Sequence, residues 1–189
     1  PSTAITAQPQ SVAICPSTST VLSVTASGEN LSYQWKSSGS NVGTNQNSYT
    51  ASSGGNYNVT VTGTCGSVNS DTAAVTINKS TNVLVDPVSD SICSGSNTTL
   101  TVSAEGVNLS YQWMNGTQAV GTNSNSFTAS APGTYYVLLN GTCGKDTSAS
   151  AVITARAATS ILSQPTGDSV CAGSVVTLNV GASGSGALS

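Results

Sequence analysis

Short runs of alternating apolar and polar residues recur along this chain, which is the pattern of β-strands with one buried face. The clearest runs are residues 20–26 and 57–62, and no stretch shows the apolar spacing of a helix. The pattern in residues 5–78 predicts strands at Ile5–Gln8, Val12–Ile14, Thr20–Ala26, Leu31–Lys36, Asn41–Gly43, Ser48–Ala51, Tyr57–Val61 and Ala73–Ile77. We therefore predict an all-β fold in which about seven short antiparallel strands form a two-sheet sandwich.

The pattern repeats at a fixed interval of 78 residues. Cys15, Cys93 and Cys171 are spaced by this interval, and Trp35 recurs as Trp113. A fixed period of this length indicates tandem copies of one module. We predict a first copy at residues 1–80, a second at 81–158, and the truncated start of a third at 159–189. The linkers at 78–82 and 156–160 are short, which favours an extended rod over a flexible string of modules.

The composition excludes several classes of partner. Charged side chains make up 6% of the chain, against about 25% in ordinary globular proteins. The formal net charge is -3, and the chain lacks the clustered basic residues that nucleic acids or anionic membranes attract. No apolar run approaches the roughly 20 residues of a membrane span, so we expect no membrane insertion. Recurring β-branched and aromatic residues distinguish the chain from a disordered polar segment.

Five cysteines, two in each complete repeat and one in the third, indicate disulfide bonds. We predict the pairs Cys15–Cys65 and Cys93–Cys143, with Cys171 unpaired because its partner would follow residue 189. Each pair would close a loop of about 50 residues, which stabilises a fold by roughly 4 kcal/mol in the chain-entropy model. Zinc is the alternative for paired cysteines, but no closely spaced set such as C-x-x-C exists here. Disulfides imply an oxidising compartment, and we expect neither a metal nor a cofactor.

A tryptophan in the third main strand and a downstream Gly-x-Tyr-x-Val segment resemble the immunoglobulin fold. These segments are residues 55–59 and 133–137, which match the tyrosine corner of that fold. Antibody domains carry a cysteine two residues after the corner tyrosine, whereas this chain has Val59 and Val137. The resemblance therefore implies a sandwich whose tryptophan packs on aliphatic side chains. The predicted disulfides would then clamp one end of the sandwich.

A longer set of motifs narrows the resemblance and covers the whole chain. Both complete repeats contain Ser-Tyr-Gln-Trp, Val-Gly-Thr-Asn and Gly-Thr-Cys-Gly, and Cys-x-Gly-x-x-x-x-Leu-x-Val begins at Cys93 and at Cys171. Together these motifs are similar to the tandem Ig-like repeats of very large surface proteins of Bacteroidetes. That family includes gliding-motility adhesins and other substrates of the type IX secretion system. The resemblance implies an extracellular or cell-surface location.

The same resemblance implies candidate O-glycosylation sites. Bacteroidetes O-glycosylation resembles Asp-Ser/Thr followed by an apolar residue, and this pattern places candidate sites at Thr72, Ser91 and Ser169. Ser91 and Ser169 occupy the same position in successive repeats. The alternative is that the preceding aspartates simply form turns, since Asp bonds its own backbone readily. Both interpretations stay open at this point.

The second repeat carries apolar residues at outward positions where the first repeat is mostly polar. These candidate contact residues are Met114, Tyr136, Leu138 and Val152. Their counterparts in the first repeat are Lys36, Asn58, Thr60 and Ala74. An exposed apolar patch can mark contact with a partner chain or a ligand. The alternative is that these are partly shielded surface residues without a role.

No arrangement of residues points to catalysis. The chain contains no histidine, and its seven acidic residues are scattered over turns and linkers, so neither a Ser-His-Asp set nor a carboxylate pair is available. We predict a structural or adhesive segment of a large secreted or cell-surface protein that acts as a stalk or adhesin. The expected partners are neighbouring repeats, a polysaccharide or surface ligand, or further copies of the chain. The alternatives are an accessory spacer or carbohydrate-binding array of a secreted enzyme, and a subunit of an extracellular filament.

Overall fold

All regular structure in the described part of the chain is β-strand, which confirms the predicted fold class. A computed structural model describes residues 1–185, and the described residues contain no helix long and apolar enough to cross a membrane. The strands of the first repeat are β1 (Ala4–Ala7), β2 (Val12–Ile14), β3 (Thr20–Ser23), β4 (Thr25–Ser27), β5 (Ser32–Ser37), β6 (Ser40–Val42), β7 (Ser48–Ala51), β8 (Gly55–Gly63), β9 (Gly66–Asn69) and β10 (Ala73–Ile77).

The second repeat contains the same ten strands. They are β11 (Asn82–Val85), β12 (Asp90–Cys93), β13 (Thr98–Thr101), β14 (Ser103–Glu105), β15 (Ser110–Asn115), β16 (Gln118–Val120), β17 (Ser126–Ala129), β18 (Gly133–Gly141), β19 (Gly144–Thr147) and β20 (Ala151–Arg156). Two further strands follow, β21 (Ser160–Ser163) and β22 (Gly181–Ser183). Strands β21 and β22 pair in the same way as β1 and β4, two repeats further along the chain. Ser160 lies opposite Ser183, and the equivalent residues Ala4 and Ser27 lie opposite each other in the first repeat.

The chain forms two compact units whose limits differ slightly from the sequence repeats. Unit 1 consists of Pro1–Thr81, Glu105–Leu109 and Gly141–Gly144. Unit 2 consists of Asn82–Ala104, Ser110–Asn140 and the chain from Lys145 onward. Two short segments of the second sequence repeat therefore belong to unit 1.

Two sheets form the sandwich of the first repeat. One sheet has the strand order β2-β10-β8-β5-β6, with β9 paired to β8. The other is built from the pairs β1–β4 and β3–β7, which are continuous because only Val24 separates β3 from β4 and its amide donates to Asn47 O at 2.9 Å. Strand β2 runs parallel to β10, while β10 and β5 both run antiparallel to β8. The second repeat has the same strand order.

The core of each sandwich is centred on its tryptophan. Trp35 and Trp113 are fully buried, and the Trp35 indole N–H donates to Gln46 O at 3.0 Å. The predicted aliphatic packing is incomplete as a description, because an aromatic ring also covers each tryptophan. Tyr49 stacks on Trp35 with 6.2 Å between ring centroids, and Phe127 stacks on Trp113 at 5.9 Å. Such ring pairs add about 0.5–1.5 kcal/mol beyond the area they bury.

The predicted tyrosine corner is present in both repeats. The Tyr57 hydroxyl donates to Ser53 O at 2.8 Å, and the Tyr135 hydroxyl donates to Ala131 O at 2.9 Å. Both tyrosines are 3% exposed, so each buried ring has its hydroxyl satisfied by this bond. The bond ties the loop before β8 to the core.

The sequence pattern missed the strands β9 and β19. In β9, Val68 is the single large apolar residue, and in β19 the equivalent position is Asp146. Such polar segments show no alternation, yet β9 pairs with β8 from Thr60 to Gly63.

The linker at 78–82 is not simply a solvated connection, because Thr81 is 4% exposed and lies in unit 1.

Replacing Tyr57 with Phe tests the corner bond. We expect Tyr57→Phe to lower the free energy of unfolding by about 1 kcal/mol, because it removes the hydrogen bond between the buried Tyr57 side chain and Ser53 O. Tyr33→Phe is the matched control, since Tyr33 is half-buried and its hydroxyl makes no hydrogen bond. Thermal unfolding of both variants measures the difference, and equal losses of stability would contradict the role of the corner.

Candidate functional site

The disulfide joins the two sequence repeats, which differs from the predicted pairing. Cys15 is bonded to Cys143, with 5.3 Å between their Cα atoms and a sequence separation of 128. Both cysteines are half-buried and both lie in unit 1. The predicted pairs Cys15–Cys65 and Cys93–Cys143 are therefore wrong, and so is the predicted clamp at one end of each sandwich.

Strand direction explains why a repeat cannot close its own disulfide. Cys15 follows β2, which runs parallel to β10 and ends beside Ile77, beyond the Gly55 end of β8. Cys65 follows Gly63 at the other end of β8. Nine residues of strand span roughly 27 Å, whereas the Cα atoms of a disulfide lie within about 7 Å of each other. The two cysteines of one repeat thus lie at opposite ends of its sandwich.

Three cysteines in the described residues carry no disulfide. Cys65, Cys93 and Cys171 are all exposed. Cys65 and Cys93 are free although each complete repeat contains two cysteines, which the sequence prediction did not anticipate.

The four candidate contact residues lie on three neighbouring strands of one sheet in unit 2. Met114 is paired with Tyr136, and the neighbouring pair on the same two strands is Gln112 with Leu138. Val152 lies opposite Thr134, on the other side of β18. Leu138 is 38% exposed and Val152 is 46% exposed, while Met114 and Tyr136 are half-buried. The four residues therefore form an uneven apolar face, of which Leu138 and Val152 are the most accessible parts.

A shallow groove of about 550 Å³ lies over Leu138. Its other walls include Gln112, Asn140, Lys145 and Thr147. The groove therefore has an apolar floor with hydroxyl, amide and ammonium groups around it. Lys145 and Thr147 belong to the polar strand β19, so alternation along the sequence gave no signal for them.

The same surface of the first repeat is filled by hydrogen bonds between side chains. The Thr60 hydroxyl donates to Asn69 Oδ1 at 2.7 Å, and the hydroxyls of Thr62 and Ser67 are 2.8 Å apart. Leu138 stands at the position of Thr60, and no hydroxyl is available there to bond across to β19. The two repeats thus share a backbone and differ in the chemistry of this face.

The candidate glycosylation residues occupy different environments. Thr72 and Ser169 are exposed, whereas Ser91 is half-buried and its hydroxyl accepts a hydrogen bond from Arg156 Nε at 2.6 Å. The aspartates before the two serines also bond locally: Asp90 Oδ1 accepts from the Ser91 amide at 2.7 Å. Asp168 Oδ1 accepts from the Ser169 amide at 2.8 Å. Asp90 and Ser91 lie in strand β12, whereas Asp168 and Ser169 lie outside the strands.

The carboxylates in the described chain act as acceptors for nearby donors. The Thr98 hydroxyl, at 2.6 Å, and the Ser91 amide lower the pKa of Asp90. The amides of Val83, at 2.7 Å, and Thr147 lower the pKa of Asp146. Both groups stay ionised at neutral pH and stabilise local backbone. Among residues 1–185, no group of three or more metal-ligating side chains converges.

Solved structures with a similar fold are arrays of immunoglobulin domains. A three-domain fragment of a titin variant is 13% identical with a TM-score of 0.67, and the match covers 86% of this chain and 69% of that one. Three N-terminal domains of the outer capsid protein Hoc of bacteriophage RB49 are 20% identical with a TM-score of 0.52, covering 97% and 68%. Sidekick-1 immunoglobulin domains 1–5 are 19% identical with a TM-score of 0.51, covering 97% and 46%.

These similarities define the chain as a tandem immunoglobulin-like protein at the level of fold. No protein-family model matches the chain, and no curated protein sequence matches it.

Proposed function

We propose that this chain is a load-bearing repeat segment of a large secreted or cell-surface protein, where it acts as a stalk or adhesin. The observation that carries the proposal is the bond between Cys15 and Cys143, which links the first repeat to the second. Tension applied along the backbone crosses this bond and bypasses everything between the two cysteines. Most of both sandwiches is thereby protected from extension even if a core unfolds.

The long loop also stabilises the folded chain. Closing a loop with a separation of 128 residues contributes about 5 kcal/mol in the chain-entropy model. A disulfide of this kind persists in an oxidising environment, which supports an extracellular location. The low charge of 6% leaves few interactions that salt would screen, which suits a protein exposed to a varying medium.

The motifs shared with Bacteroidetes repeat proteins support the same proposal. Gly-Thr-Cys-Gly supplies Cys143, and its counterpart in the first repeat supplies Cys65. We infer that the parent protein is a surface protein of the gliding-adhesin type, exported by the type IX route. Thr72, Ser91 and Ser169 are its candidate glycan sites, of which Thr72 and Ser169 are the accessible ones.

Single-molecule stretching tests the load-bearing role. When the chain is pulled from both ends without reductant, unfolding should release only the residues outside the disulfide loop. With dithiothreitol, the sequence separation of 128 should add about 420–460 Å of contour length, because an extended residue spans about 3.3–3.6 Å. A Cys15→Ser/Cys143→Ser variant should show the longer extension without reductant. Equal extension of the oxidised and reduced protein would contradict the proposal.

A second role, binding of a neutral polysaccharide, is favoured by the groove over Leu138. Sugar rings present C–H faces that pack on apolar and aromatic side chains, and hydroxyls that bond to amides. In the groove, Leu138 offers the first kind of surface, and Asn140 and Thr147 offer the second. Tyr136 lies two residues before Leu138 on β18, outside the groove, and extends the apolar surface beside it. The first repeat lacks this combination, since Thr60 bonds to Asn69 instead.

Native electrophoresis in gels that contain soluble neutral polysaccharides tests this second role. We expect the chain to be retarded by at least one of them, and Tyr136→Asn/Leu138→Thr to migrate freely. The fold should survive, because the first repeat carries Asn58 and Thr60 at these positions. The reciprocal change, Asn58→Tyr/Thr60→Leu, is the matched control and should leave retardation at least as strong. Unchanged retardation of the first variant, or none of the parent chain, would contradict the role.

A further inference from the structure

Two exposed cysteines, Cys93 and Cys65, lie at the repeat positions of the two bonded ones. Cys93 is the counterpart of Cys15, and Cys65 is the counterpart of Cys143. Both are exposed, whereas the bonded pair is half-buried. The structure therefore contains one completed bond, two further copies of its first cysteine, at Cys93 and Cys171, and one further copy of its second, at Cys65.

The turn that presents the first cysteine is the same at each of its three copies. The Cys15 carbonyl accepts from the Thr18 amide at 3.2 Å. The carbonyls of Cys93 and Cys171 accept from the amides three residues later, both at 3.0 Å. The third residue of each turn has a positive φ, with Ser17 at 61°, Gly95 at 80° and Gly173 at 86°. The backbone turn at Cys93 is thus the one seen at the disulfide-bonded Cys15, although Cys93 itself carries no disulfide.

The hairpin that presents the second cysteine is also the same in both copies. Thr142, before Cys143, donates from its amide to Val107 O at 2.9 Å and accepts from Asn108 Nδ2 at 3.1 Å. Thr64, before Cys65, makes the same two contacts, to Glu29 O at 3.0 Å and from Asn30 Nδ2 at 3.1 Å. The loop that contains Cys65 therefore makes the same contacts as the loop that contains Cys143.

Unit 2 has an open depression beside Cys93. Its volume is about 270 Å³, and its walls include Cys93, Ala131, Pro132 and Arg156. In unit 1, the Gly141–Gly144 segment lies beside Cys15, whose disulfide-bonded Sγ is 3.6 Å from Thr142 O. The depression gives a second hairpin of the same kind access to Cys93.

We propose that Cys93 is a bonding site for the second cysteine of the module that follows it in the same chain, and that Cys65 receives the first cysteine of a preceding module. Every module would then be bonded to the next with the 128-residue separation of Cys15 and Cys143. Each bond forms when two thiols lose two protons and two electrons to a disulfide oxidant, which is reduced to two thiols. This inference rests on the proposed function, because it requires an array of further modules.

An in-frame duplication tests the connectivity. Residues 1–156 are followed by a second copy of residues 1–189, which preserves the interval of 78 residues. The chain is refolded with oxidised glutathione, and its disulfides are mapped by non-reducing peptide digestion. We expect a peptide that joins Cys93 of the first copy to Cys65 of the second, together with the bond between Cys15 and Cys143 in each copy.

Controls separate this proposal from other outcomes. In a variant with Cys93→Ser in the first copy, Cys65 of the second copy should become a free thiol, while the other bonds stay. Bonds within one repeat, free thiols at both positions, or bonds only between separate molecules would overturn the proposal. Free thiols at both positions, or bonds only between separate molecules, would leave the load-bearing role intact, because that role depends on the bond between Cys15 and Cys143 and is measured by stretching. Bonds within one repeat would remove that role as well, because they would use Cys15 or Cys143.

Discussion

The length and direction of strand β8 control the covalent structure of this protein. Its nine residues, Gly55–Gly63, cross the whole sandwich, and a parallel pairing of β2 with β10 brings Cys15 to the end where β8 begins. Cys65 follows the end where β8 stops. A disulfide within one repeat would need a Cα distance several times shorter than this strand allows. Cys15 therefore bonds to a cysteine of the other repeat, Cys143, and not to Cys65.

Under the proposed load-bearing role, the bond between repeats determines which segments of a tandem array are protected from tension. A disulfide inside each sandwich would protect that sandwich alone and leave the linkers to carry the load. The observed bond protects the linker at 78–82 as well, because that linker lies within the loop closed by Cys15 and Cys143. Thr81 in the same linker is buried in unit 1, so packing and covalent linkage stabilise the same segment.

Sequence alone predicted the features that depend on local pattern. Alternation located most strands and predicted the sandwich, and the resemblance of the segments around Trp35 and Tyr57 to the immunoglobulin fold implied the corner bond, because these features depend on residues within one repeat. The pairing of cysteines was predicted wrongly, because it depends on which end of the sandwich each strand reaches. The groove over Leu138 was only partly predicted, because its polar wall belongs to the strand β19, which has no apolar alternation.

The central claim is that the chain bonds across repeats, and counting its free thiols tests this most directly. The oxidised, monomeric chain is alkylated without reduction, digested, and its peptides are identified by mass. We expect one disulfide, between Cys15 and Cys143, and three alkylated cysteines, at Cys65, Cys93 and Cys171. Bonds from Cys15 to Cys65 and from Cys93 to Cys143, with Cys171 as the one alkylated residue, would contradict it.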